Sequence, residues 1–387
     1  MRSIKQIKNL SRLDKAGLKG KVILLRAGFD VPIKDGKVID SRRIEVLLPT
    51  IKYLMGKGPL IILSHQGRPD GKRDLTFTQK PLIPVLEKLL KQKVEFADYC
   101  IGVETEKMAK SLKKGEVLLL ENLRFEPGEE KNDAVFAKKL SSLGDIYVDD
   151  AFSDAHRKHA SIVGIPKYLP AFAGFQFLKE VKYLSLVFKK AKHPFLLILG
   201  GAKFETKLPI IKRFLKTADD IFIGGALANQ VFKEKGYEVG TSLVEDKTYG
   251  LSLLSKNKKI ILPSDVLVLE GRGKHVVSFD KVSEGENIID VGPTTTKDLE
   301  IKIRKSKMVL WNGPLGKSSD GFDKATESII QTIAKTKTTS IVGGGDTGEV
   351  IAKLKLESKF TFISTGGGAA LDYLANGTLP GIKALQR

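Results

Sequence analysis

Two sets of residues in the chain have the types and spacing to act on phosphate groups. The first is a series of glycine clusters with charged partners. GGGDTG at 343–348 follows the apolar run TTSIV and precedes EVIAKLKL, in the order strand, turn, helix. Glycines let backbone N–H groups approach phosphate oxygens, and a helix N-terminus adds partial positive charge, so this turn suits a nucleotide phosphate. Asp346 within it is placed to hold Mg²⁺, a hard cation that takes carboxylate, water and phosphate oxygens. Gly366 to Gly368 repeat the arrangement before ALDYLA. GGAK at 200–203 adds Lys203, with Lys207 four residues on along the same helix face. Tight βα turns also use glycine for purely structural reasons, and a single lysine is as readily a solvated charge. The glycine pairs favour the nucleotide reading because an acidic residue and strand-end lysines accompany them.

The second set is basic. Arg26, Arg43, His65, Arg68, Arg124, His156, Arg157 and His159 all fall at or just after expected strand ends. Arginine forks hold phosphate and carboxylate through paired hydrogen bonds, so several converging on one sheet edge would form a pocket for a small polyanion. Taken singly, each could equally be half of a surface ion pair.

The elements that must position these residues are short Val-, Ile- and Leu-rich runs: KVILLR, PLIILS, EVLLLE, DIYVDD, PFLLILG, DIFIGG, KIILP, KMVLWN, TSIVGG and KFTFIST. Each fits a parallel strand buried on both faces. Helical patterns such as RRIEVLLPTIKYLMGKG and FTQKPLIPVLEKLLKQ lie between them, which gives βαβ units. The fold expected is α/β, with two doubly wound, Rossmann-like parallel-sheet domains joined by an interdomain helix. The decorated strand ends mark the carboxyl edge where such sheets bind ligands. Arginine and histidine decorate the ends up to about residue 165, and glycine clusters with Lys and Asp decorate them from about 200. The helical stretch 174–192 separates the two sets and is read as the interdomain helix.

At 387 residues the chain exceeds what one hydrophobic core usually supports. Its one cysteine, Cys100, excludes an intrachain disulfide, and no Cys/His group has zinc-ligand spacing. The charged start MRSIKQIKNLSRLDK is unlike a signal peptide, and no apolar run reaches a membrane span. A cytoplasmic, non-membrane protein is expected. The formal charge of +20 fits either a general basic surface or a nucleic-acid patch. Lysines spread through the expected surface helices (KEVKYLSLVFKKAKH, LSKNKK, KIRKSK, IAKTKTT) with few aromatics between them favour the first. Walker A and the protein-kinase glycine loop do not appear in context, and the dinucleotide fingerprint is missing from the first βα turn.

In order along nearly the whole chain, RAGFDVP, SHQGRP, LLLENLRFEPGEEKND, YVDDAFSDAHRKHAS, GGAK with Lys207, WNGPLG, GGGDTG and STGGGA resemble the motifs of the phosphoglycerate kinase family. That resemblance implies a glycolytic phosphotransferase with a carboxyl acceptor, acting on 3-phosphoglycerate and ATP with Mg²⁺ as a monomer. It places 3-phosphoglycerate in domain 1–173, on Arg43, His65, Arg68, Arg124 and Arg157 and beside Gly28 and Asp30. It places the nucleotide in domain 193–368, on Gly201, Lys203, Lys207, Gly225, Asn312, Ser319, Gly344, Gly345, Asp346, Thr347 and Gly367, with Mg²⁺ on Asp346. Arg43, Lys203 and Gly345 stand at the transfer itself, and segment 369–387 returns to the first domain.

Three positions depart from the family pattern. Where RxDFNxP is usual, the chain has Gly28 and Asp30, and Asp30 is expected to take over the carboxylate's contact with the substrate hydroxyl. After WNGPLG the usual GVFE, whose Glu holds the ribose, is replaced by GKSSDGF, leaving Ser319 or Asp320 for that task. Asp149 stands where Asn is common. The expected reaction is in-line transfer with hinge closure of the two domains. A nucleotide-binding pseudoenzyme, or a basic nucleic-acid-binding protein on the same fold, are the competing readings.

Overall fold

The computed structural model describes residues 7, 8 and 20–386; most of the charged N-terminal stretch read above lies outside them. The chain forms two compact units, one of residues 1–182 with 376–387 and the other of residues 183–375.

The first unit is built on six strands, β1 (Ile23–Ala27), β2 (Leu60–Leu63), β3 (Glu95–Ala97), β4 (Val117–Leu120), β5 (Ile146–Asp150) and β6 (Ala171–Ala173). They pair in the order β3-β4-β2-β1-β5-β6, with every pairing parallel. The runs ILLRA, LIIL, VLLL and IYVDD are buried at every residue, as strands covered by helices on both faces must be. Helices α1 (Leu48–Met55) and α2 (Ile83–Leu90) lay Ile51, Leu54 and Leu86 onto the sheet core. The chain leaves β1 toward β2 on one side and later returns to β5 on the other. The crevice between the ends of β1 and β5 is therefore a topological switch point, where ligands bind in such sheets. Helix α3 (Phe175–Leu184) starts from this edge, with the Phe177 amide donating to Asp150 Oδ1 at 2.7 Å and the Phe175 amide to Thr50 Oγ1 at 3.0 Å. Near the C-terminus, the Gly381 amide donates to the Ala155 carbonyl at 2.8 Å.

The second unit has a six-stranded parallel sheet of β7 (Phe195–Leu199), β8 (Asp220–Ile223), β9 (Ile260–Ile261), and, after an inserted three-stranded sheet, β13 (Met308–Asn312), β14 (Thr339–Gly343) and β15 (Phe362–Ile363). Its order, β9-β8-β7-β13-β14-β15, puts the switch point between β7 and β13. The inserted sheet is antiparallel, β11-β10-β12, from β10 (Asp265–Glu270), β11 (Gly273–Ser278) and β12 (Asn287–Val291). The alternation of strands and helices does not predict it. Its signal is the hairpin VLVLE-GR-GKHVVS, in which Glu270 pairs with Gly273 across a two-residue turn and Gly271 takes φ 55°. LSKNKK, expected to be helical, contributes only Leu254 to the short helix Leu251–Leu254. Asn257 ends it, its side chain accepting the Lys259 amide in a turn of the kind Asn favours. Among the described residues no helix is long and apolar enough to cross a membrane.

Candidate functional site

In the first unit the basic residues gather at the ends of β1, β2, β4 and β5. Arg43 donates through Nη1 to the Asp30 carbonyl at 2.6 Å, and Asp30 Oδ1 accepts the Gly67 amide at 3.0 Å. Arg124, in the turn after β4, donates through Nη1 to the Gly67 carbonyl at 2.6 Å. Its Nη2 stands 3.5 Å from Asp154, and Arg157 Nε stands 3.8 Å from the same carboxylate. His65, Asp30, Arg43, Arg124 and Arg157 thus form one connected group. Arg68 is exposed just beyond Gly67, on the same strand-end loop.

Arg26 differs from the pocket arginines with which its position groups it. It lies inside β1, wholly buried, and donates to Ser161 Oγ at 2.9 Å, the Ala27 carbonyl at 2.5 Å and His65 Nδ1 at 3.1 Å. It supports the pocket from below. An arginine can only donate, so His65 Nδ1 accepts and the ring proton sits on Nε2, which faces Asp30 Oδ2 at 3.7 Å. Burial, with Arg26 and Arg124 nearby, pushes the His65 imidazole down to about 4 despite Asp154 and Asp30. His65 is therefore a neutral hydrogen-bonding group at physiological pH. His159 is likewise pushed down to about 3 by burial and the arginines.

In the second unit three strand ends meet with no space between their backbones. The Gly200 amide donates to the Asn312 carbonyl and the Gly201 amide to the Pro314 carbonyl, both at 2.9 Å. A Cβ at Gly200 or Gly313 would strike the facing backbone, and one at Gly225, which has φ 59°, would lie 2.9 Å from the Gly201 nitrogen. These glycines are dictated by close approach. Lys203 caps helix α4 (Phe204–Phe214) and is exposed, whereas Lys207 on its first turns is 8% exposed. Its Nζ lies beside Gly201, 3.8 Å from where a Cβ there would be. Burial and then Lys203 lower the Lys207 pKa, which Glu245 and Asp346 partly offset. Gly344, at φ 106°, leads into helix α5 (Gly345–Lys353), which carries Gly345, Asp346 and Thr347 in its first turn. The buried Thr347 hydroxyl has no hydrogen-bond partner. Asn312 is buried with its amide beside Gly343 and Gly344.

These elements frame a cavity of about 750 Å³ whose walls include Gly201, Gly225 and Asp346 at one end, Leu243 and Ile288 in an apolar stretch, and Ser319. Size and lining suit a nucleoside with its phosphates. Gly367 precedes helix Gly368–Asn376 beyond the end of β15 and is not part of the cavity wall. Asp346 is the one carboxylate of its turn, and no group of three or more His, Cys, Asp or Glu arranged for a metal occurs among the described residues. One carboxylate completed by phosphate oxygens and water is a donor set that Mg²⁺ takes at nucleotides, so the residues fit that ion.

A family model described as phosphoglycerate kinase matches residues 13–377. The chain belongs to the phosphoglycerate kinase family. It is 42% identical to the phosphoglycerate kinase of Borrelia garinii over 398 aligned residues, covering 100% of each chain. It is 42% identical to that of Pseudothermotoga lettingae, covering 95% of this chain and 96% of the relative. The solved phosphoglycerate kinase of Coxiella burnetii superposes with a TM-score of 0.84 at 34% identity, covering 98% of each chain.

Against the phosphoglycerate kinase pattern, each departure has a local setting. A Cβ at Gly28 would stand 3.0 Å from Ser153 Oγ, a tight contact that the serine would have to relieve. Asp149 is buried, accepts the Ala151 amide at 2.9 Å through Oδ1 and leaves Oδ2 without a partner. Burial pushes its carboxyl up to about 7 against the opposing effects of the Ala151 amide and Arg26. In the GKSSDGF loop, Asp320 pairs with Lys317 at 2.8 Å, while Ser318 donates to Asp323 and both of these line the cavity with Ser319. Asp154, Asp290 and Asp323 are site residues that motif reading passed over. Asp290 offered a signal, an apolar run ending in DVGPTT. Its carboxyl accepts the Val291 and Ala325 amides, and burial pushes it up to about 7.

Proposed function

We propose that the chain catalyses reversible, Mg²⁺-dependent transfer of the ATP γ-phosphoryl group to the carboxylate of 3-phosphoglycerate, giving 1,3-bisphosphoglycerate and ADP, as a cytoplasmic monomer. The observation that carries this reading is the group of arginines and neutral His65 at the switch point of the first sheet. It is a set of fixed donors suited to one small molecule bearing both phosphate and carboxylate. Arg43, Arg68, Arg124, Arg157 and His65 hold that molecule, with Asp30 toward its hydroxyl and Gly28 beside it. In the second unit Gly201, Gly225, Gly344, Gly345 and Thr347 offer backbone and hydroxyl donors to the nucleotide phosphates, Lys207 neutralises them, and Asn312 borders the site. Ser319, with the Ser318 and Asp323 pair, faces the ribose.

A carboxylate is already ionised at neutral pH, because its ordinary pKa lies near 4. The acceptor needs no general base, and no protein nucleophile is called for. What remains is orientation and charge neutralisation around the moving group by Arg43, Lys203 and the Gly345 amide. Mg²⁺ held by Asp346 and the phosphates would supply further neutralisation of phosphate charge. The test is ADP release measured with 3-phosphoglycerate and with glycerol 3-phosphate, which lacks the carboxylate. Turnover with the first alone supports the reading, and equal turnover with both contradicts it.

A further inference from the structure

Asp154 is a buried acid set among the arginines of the acceptor pocket, and the reaction as described gives it no task. The residue is 4% exposed. Three guanidiniums from separate elements face its carboxylate, Arg26 Nη2 at 3.4 Å, Arg124 Nη2 at 3.5 Å and Arg157 Nε at 3.8 Å, and the unprotonated His65 Nδ1 lies 3.6 Å away, where it accepts from Arg26. None of the three is the short paired fork of a dedicated Arg–carboxylate bond, so the charge is shared among them. Burial opposes ionisation here, but the three arginines beside it hold the carboxyl well below the usual range. It stays charged at any pH at which the enzyme works.

The neighbourhood leaves Asp154 this work. Arg26 is wholly buried, and a guanidinium without water needs a counter-charge. Of the other nearby acids, the exposed Glu130 stands 3.4 Å from Arg124 Nε, and Glu129 is engaged by Ser161, whose hydroxyl donates to Oε1 at 2.6 Å and whose amide donates to Oε2 at 2.9 Å. Burial raises the Glu129 pKa, which leaves it the weaker counter-ion. Residue 28 is glycine and supplies no acid. Without Asp154 the buried Arg26 and Arg124 would repel one another with no carboxylate between them.

We propose that Asp154 is a positioning residue for the acceptor substrate: its buried carboxylate holds Arg26, Arg124 and Arg157, and through Arg26 the His65 ring, in the arrangement that receives the substrate's anionic groups. It touches no substrate itself. This inference rests on the assignment of that pocket to 3-phosphoglycerate.

Two measurements test it. In the full-length Asp154→Asn enzyme, KM for 3-phosphoglycerate rises about tenfold or more while KM for ATP stays within about twofold. A folded variant with an unchanged KM for 3-phosphoglycerate overturns the proposal and leaves Asp154 a purely structural residue. The second measurement needs no variant to fold. In wild-type enzyme labelled with ¹⁵N-arginine, the Nε–H signals of Arg26, Arg124 and Arg157 are resolved before any ligand is added and shift with inorganic phosphate. Signals that appear only after phosphate or substrate is added overturn the proposal. Ordered, phosphate-responsive signals in an enzyme that does not turn over 3-phosphoglycerate keep the role of Asp154 and overturn only the substrate assignment.

Discussion

Asp149 shows how one residue type sets a measurable property. Its ordinary carboxyl pKa of 3.8 becomes about 7 in the fold, chiefly through burial. Between those values the folded state keeps a proton that the unfolded chain has lost, so wild-type stability falls as pH rises from about 4 to 7 and the full penalty applies above. Asp149→Asn removes the ionisation. The variant gains stability relative to wild type on going from pH 5 to pH 8, by on the order of 2–4 kcal/mol, read from paired thermal melts. A pH-independent difference would mean that the carboxyl ionises normally. At this scale the sequence discloses residue types better than environments. The strand-end placement of Lys203, Lys207, Asp346 and the clustered arginines of the first unit was legible. Arg26 was misgrouped because a buried strand arginine and a pocket arginine look alike in a string. Asp154 was invisible because its meaning comes from side chains 30 to 128 residues away in the chain, Arg124 and Arg26.

Turns and helix starts are the elements that turn these residues into sites. Gly225 begins helix Ala226–Glu234 at φ 59°, ψ −156°, a conformation essentially reserved for glycine, and its neighbour Gly201 lies against it. Gly225→Ala should cost about 2 kcal/mol or more in stability from strain alone. Pushing Gly201 and Gly225 apart should also raise KM for ATP and leave KM for 3-phosphoglycerate near wild type. Equal changes in both constants would show that the turn does not serve the nucleotide. The parallel strands were legible because aliphatic runs bounded by glycine or charge have few other uses. The short strands β3 and β6, EFA and AFA, were not, since three residues carry no period. The β10–β12 sheet escaped because βαβ rhythm gives no reason to expect an antiparallel insertion.

For the whole molecule, the α/β class and two parallel sheets followed from strand and helix alternation, and the family followed from the ordered motifs. Strand order did not, because pairing joins residues far apart in sequence. Trp311, the only tryptophan, is buried in β13 with its indole N–H donating to the Gly313 carbonyl at 2.8 Å. It therefore reports on the second unit alone. Mg²⁺ with ADP at about 100 times its Kd should stabilise that unit by about 2.7 kcal/mol, moving the tryptophan-detected melting midpoint upward. A midpoint indifferent to nucleotide would place the nucleotide elsewhere. The most direct test of the central claim is a coupled assay of 1,3-bisphosphoglycerate formation from ATP, Mg²⁺ and 3-phosphoglycerate, with wild type and Lys203→Ala compared. The account predicts wild-type turnover dependent on all three components and a kcat at least about 100-fold lower in the variant, with nucleotide binding retained. A wild type that binds nucleotide without turnover, or a variant as fast as wild type, would contradict it.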